Sequence, residues 1–273
     1  MRSARKIFAG ASLTLLSVVS LLAAYFIYAP SYPRHAYLSG WVLFALMLIL
    51  TFYNLRKRVP FLRLGSSNFW LRLHICLGIF SGALFFVHMG WTWPTGTFSQ
   101  LLATCYAVVF LSGMLGWWMS RTFPKRLTVA GYETPYERIP HVRAQLRSDA
   151  EELILTGVDG QTSPIIAEFY SEKLGMFFAR PCNLSAHVLS SRFPQAAHAA
   201  RFDEVERYVK KGECEMLDKL RDLVAQKHML DYQYALQRAL RLWLFAHIPL
   251  SYSLLVFSVL HIIVVYSFSG SAS

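Results

Sequence analysis

Carboxylates are missing from most of this chain. All 16 Asp and Glu residues fall between Glu133 and Asp231, so residues 1–132 and 232–273 carry no acidic side chain. That excludes from these stretches the intramembrane carboxylate relay by which transporters move protons or cations. Cysteine is sparse: four residues, Cys76, Cys105, Cys182 and Cys214, with no C-x-x-C or C-x-x-C-H, which argues against a zinc site, an iron–sulfur cluster or covalently attached haem c. There is no G-x-G-x-x-G and no P-loop, so the chain has no phosphate cradle of its own for a nucleotide cofactor.

What is present is apolar. Hydrophobic residues make up 55% of the 273 residues, against about 45–50% in soluble domains. Five apolar runs, at 7–29, 36–55, 70–92, 98–120 and 240–267, are each near the roughly 20 helical residues that cross a bilayer core. The net charge of +11 is not that of a nucleic-acid surface. Between 121 and 239, 17 Lys and Arg nearly balance the acids, and the other ten cations flank the apolar runs.

The cations also predict a topology. Arg2, Arg5 and Lys6 precede the first run, Arg56, Lys57, Arg58, Arg63 and Arg72 lie between the second and third, and Arg121, Lys125 and Arg126 follow the fourth. All fall on one side when the N-terminus is cytoplasmic and the first run is a retained helix rather than a cleaved signal. The expected protein is a multi-pass cell-membrane protein of bacterial inner-membrane type. It has four helices in 1–120, a cytoplasmic domain in 121–239, and a fifth helix with a short outer tail in 240–273. All seven Trp lie in or at the ends of the runs, where amphipathic rings favour the headgroup region.

Turn signals at Pro124, Gly131, Pro135, Pro140 and the Gly157–Gly160 stretch, with the β-like run Glu152–Thr156, predict a small α+β insert. Its last part, about Arg201 to Gln237, alternates charge and apolar residues at helical spacing. The sequence carries no motif for what this domain does.

Chemistry concentrates in the third and fifth runs. Of nine His, four lie in apolar runs: His74 and His88 in the third, His247 and His261 in the fifth, each pair fourteen residues apart. On a helix that spacing separates two imidazoles by about 21 Å along the axis and only about 40° in azimuth. The two runs are parallel in the predicted topology, so His74 comes level with His247 and His88 with His261. Two facing imidazoles at each of two depths match the axial needs of two b-type haems. A lone buried His is usually a hydrogen-bonded packing residue, but independent packing roles do not fix both a spacing and a relative depth.

The segments Leu73–Gly78 through Phe86–Gly90, and Ala246–Pro249 through Leu260–Ile262, resemble the ligand helices of two-haem membrane cytochromes b, a group that includes respiratory cytochrome b and the transmembrane part of ferric reductases and NADPH oxidases. The resemblance covers about 50 residues and rests on histidine spacing. It implies an all-α bundle of four helices with one added. His74, His88, His247 and His261 then hold the iron of two haems b, as the pairs His74/His247 and His88/His261. The insert at 121–239 is foreign to respiratory cytochrome b, and the flavin and nicotinamide motifs that follow the oxidase bundle are absent.

The expected function is electron transfer across the membrane, from a quinol or cytoplasmic-side donor to an extracytoplasmic redox protein such as a multihaem cytochrome c. A quinone site, membrane lipid and a larger complex go with that expectation; nucleic acid does not. Two alternatives stay open: a terminal ferric reductase-like oxidoreductase, and a membrane-anchored interaction or sensor protein whose histidines are structural. Gly78 and Gly82, and Gly113 and Gly116, admit either close approach of a flat macrocycle or close helix packing. Arg72 and Arg241 admit either propionate pairing or anchoring at headgroups.

Overall fold

The computed structural model describes residues 16–20, 23–25, 27, 35–53, 67–129, 134–156, 163–189 and 193–269. Most of the first expected run, the cations at 2–6, 34 and 56–63, and the glycine-rich stretch at 157–160 lie outside them. The chain divides into two compact units, residues 1–118 with 243–273, and residues 119–242.

The first unit is built from α1 (His35–Thr51), α2 (Ser67–His88), the first part of α3 (Thr97–Val129) and the last part of α9 (Cys214–Ser269). Among the described residues three helices, α2, α3 and α9, are long and apolar enough to cross a membrane. Five such helices were expected. At 17 residues α1 reaches only about 26 Å at 1.5 Å per residue, short of the roughly 30 Å hydrocarbon core. The helices are longer than expected: α3 continues through Pro124 to Val129, and α9 runs from Cys214 as one helix of 56 residues.

The apolar side chains of this unit point outward as well as inward. Leu111 on α3 is 62% exposed and Phe245 on α9 is 79% exposed, and Val256 and Ile263 share that outer face. Aligned apolar faces of this extent suit lipid rather than water, and the three helices point to a membrane protein. A smaller inward cluster joins Leu43, Leu46 and Met47 of α1 with Leu84, Phe85 and Val87 of α2, Ala103 and Tyr106 of α3, and Leu254 of α9. Gly90, with φ of +62°, closes α2 in a left-handed turn in which Trp91 N donates to Phe86 O at 3.2 Å. The turn leaves His88 in the last helical position.

The second unit is helical at every described element and has no strand among the described residues, where an α+β domain was expected. Glu152–Thr156 ends α4 (Ile139–Thr156). Leu146, Ala150 and Ile154 of α4 are buried at four-residue spacing, and a short apolar run alone does not separate that pattern from a strand. Next come α5 (Pro164–Phe169), a π-turn at Tyr170–Leu174, α6 (Gly175–Ala179), α7 (Leu184–Val188) and α8 (Phe193–Glu206). The helical pattern expected from Arg201 onward breaks at 207–210 before α9 begins. The core packs Ile166, Phe169, Leu174 and Phe178 against Phe202, Met216, Leu217 and Leu220. Lys227 and Asp231, one turn apart on α9, form a fully buried ion pair. It fastens the non-helical segment after α6: Lys227 Nζ donates to Arg180 O at 3.2 Å, and Cys182 N donates to Asp231 Oδ2 at 3.1 Å.

Candidate functional site

The four histidines of the third and fifth runs all lie in the first unit and are all partly buried. His88 and His261 are brought together, with ring centroids 6.5 Å apart and planes at 87°. Phe98 stacks on His261 at 6.3 Å. Both imidazoles line one cavity of about 320 Å³ bounded by α1, α2, α3 and α9, whose other walls include Gly40, Phe85, Tyr106, Leu254 and Tyr266. The wall is stiff: Phe85 and Tyr106 stack at 4.1 Å, and Tyr106 OH donates to Ser81 Oγ, which donates to Gly78 O.

One nitrogen of His88 is committed. A carbonyl can only accept, so Nδ1–H donates to Ala36 O at 3.0 Å, and the Ser39 hydroxyl oxygen lies 3.3 Å away on the same side. The Nε2 lone pair is left over. Gly40 makes this seat possible, because a Cβ there would sit 2.9 Å from His88 Cε1.

At the other level, His247 Nδ1 is hydrogen-bonded to Ser112 Oγ at 3.1 Å, and its ring stacks on Trp243 at 5.1 Å and 20°. Trp243 Nε1–H is shared between Ser112 O at 2.8 Å and Ser112 Oγ at 3.2 Å. His74 lies within electrostatic reach of His247. Its ring packs on Tyr53 at 4.9 Å, and its Nδ1 is buried without a hydrogen-bond partner.

The glycines have roles that spacing alone did not reveal. Gly116 seats the Trp243 indole, where a Cβ would fall 1.9 Å from Cζ2, Gly113 faces His247, and Gly82 seats Phe110. Of the four glycines singled out from the sequence, Gly78 is the one whose added Cβ would meet nothing within 4 Å. Arg241, one of the two candidates for pairing with a propionate, instead forms an ion pair with Glu137 and stacks over Tyr136 at 4.0 Å in the second unit. Arg72 is exposed.

Sequence reasoning missed a second group of histidines. In the 119–242 unit His187 and His228 meet at 4.6 Å and His198 and His228 at 6.4 Å. Each keeps one buried ring nitrogen without a hydrogen-bond partner. Burial, together with the Lys227 and Arg126 cations, lowers the pKa of His187 to about 4. Burial, His187, His198 and Lys227 lower that of His228 equally far. The residues come from α7, α8 and α9, and no short-range pattern links them.

Among the described residues no group of three or more His, Cys, Asp or Glu is disposed to hold a metal ion. No protein-family model, curated protein or solved structure matches the chain.

Proposed function

We propose that this chain is a membrane cytochrome of the two-haem b type that passes electrons from one face of the bilayer to the other. The observation that carries the reading is the His88–His261 pair. The imidazole rings of His88 on α2 and His261 on α9 would together hold the iron of one haem. The centroids here are 6.5 Å apart beside an apolar cavity of about 320 Å³, within the size range of cofactor sites. His88 keeps Nε2 free while Nδ1–H is held by a carbonyl, the arrangement that orients a metal-ligating histidine and strengthens it as a donor.

The pair His74 and His247 serves the second haem in this reading, supported by the matched fourteen-residue spacing and by the Ser112 bond to His247. Haem iron, when bound, supplies reversible one-electron chemistry. The protein contributes position and environment. Two levels about 21 Å apart along the helices divide the bilayer into shorter steps, and the apolar walls keep water and protons away from the ligands.

The chain has no means of its own to accept hydride, so its donor is a quinol or a cytoplasmic redox protein, and its acceptor is an extracytoplasmic redox protein such as a multihaem cytochrome c. The N-terminus and the 119–242 unit face the cytoplasm, because the cations between the second and third runs and after the fourth then share the inner side. Proteoliposomes with ferricyanide trapped inside and a reduced quinol outside test this function. Protein-dependent bleaching of the trapped ferricyanide, lost in His88→Ala, is the expected result. Bleaching no faster than in empty vesicles would contradict transmembrane transfer.

A further inference from the structure

We infer that Ser112 is a positioning residue for the His247 ligand and sets the redox potential at that level, an inference that rests on the haem reading above. Ligation through His247 Nε2 requires the proton on Nδ1, so the hydroxyl 3.1 Å away must accept it. The Ser112 oxygen is held for this role. Trp243 Nε1–H anchors to Ser112 O at 2.8 Å and reaches its Oγ at 3.2 Å, and the indole lies flat because Gly116 has no side chain. The same indole stacks on the His247 ring, and Gly113 lies beside its Cε1 edge at ordinary contact distance. Ser112 and Gly116 on one turn of α3, with Trp243 of α9, thus hold the plane and tilt of the imidazole.

The consequence is electronic. Accepting the Nδ1 proton raises the basicity of the imidazole and favours ferric over ferrous iron. His74, the partner ligand, has no acceptor on Nδ1. Ser112 is accordingly the protein's hydrogen-bonding lever on this pair. At the other level the lever is the Ala36 carbonyl, which a side-chain substitution leaves intact.

The test uses full-length protein in detergent. Wild type, Ser112→Ala and Ser112→Thr are compared by haem content, redox titration and electron paramagnetic resonance, with His247→Ala identifying the component that belongs to this level. Ser112→Ala should raise the potential and shift the low-spin g values of that component alone, or release that haem alone. Ser112→Thr, which keeps the hydroxyl, should restore the wild-type values. The inference is overturned when Ser112→Ala leaves both components unmoved, when it releases both haems, or when the threonine variant behaves as the alanine one. Wild-type protein without haem would overturn the functional reading itself, a separate result.

Discussion

Lowering the pH from 7 to 5 should destabilise the 119–242 unit through two histidines. His187 and His228 are 3% and 6% exposed, and both have pKa values lowered to about 4. In the unfolded chain each returns to about 6.5. The unfolded state therefore binds more protons between those values, so the stabilisation is complete above pH 6.5 and is lost as the pH falls toward 4. At pH 5 an unfolded histidine is almost fully protonated and a folded one is about a tenth protonated, a loss of about 2 kcal/mol per residue. Two such losses are a large part of the roughly 5–15 kcal/mol that holds a domain together. Hydrogen exchange of the full-length protein, corrected for intrinsic rates, reads this as a fall of roughly thirtyfold in protection per histidine across 163–189 and the start of α9. Replacing one member isolates the effect from the surface carboxylates, so His228→Gln should lose about half of the pH dependence. An unchanged pH dependence in that variant would refute the argument that these imidazoles are buried uncharged.

Other substitutions report on other parts. His88→Ala or His261→Ala should remove one haem and leave the other, and His74→Ala or His247→Ala should do the reverse, read as half of the pyridine haemochrome signal. Equal loss of both haems from all four variants would contradict the pairing. Gly116→Ala forces a methyl into the Trp243 indole and should destabilise the first unit by about 1–3 kcal/mol, with a shift in Trp fluorescence. An unshifted spectrum would contradict the seat. Lys227→Met leaves Asp231 buried without its partner and should cost about 3–5 kcal/mol. The double variant with Asp231→Leu should recover most of it in denaturant unfolding, and no recovery would show that the ion pair does more than satisfy itself.

Much of the helical character was legible because it is written as long apolar runs. The runs at 70–92 and 98–120 appear as α2 and α3, and the run at 240–267 is the end of α9. Their lengths were less legible. Helix α9 begins 26 residues before its apolar run, because an amphipathic stretch buried in the second unit continues into an apolar one without a breaker. The strand expected at Glu152–Thr156 failed for a local reason: Ile154 is buried on the stripe begun by Leu146 and Ala150, a relation visible only over about two helical turns.

The four histidines of the candidate site could be picked out by spacing, and the structure brings His88 and His261 to 6.5 Å. What orients them could not be read, since the Ala36 carbonyl, Ser39 and Ser112 lie on other helices and have ordinary neighbours in sequence. The cluster of His187, His198 and His228 was invisible for the same reason. Three helices separated by loops bring these residues together.

The most direct measurement of the central claim is a reduced-minus-oxidised visible spectrum of the purified full-length protein with pyridine haemochrome quantitation. The account predicts b-type bands and about two haems per chain. A colourless protein from cells with ample haem would contradict it and return His74, His88, His247 and His261 to packing.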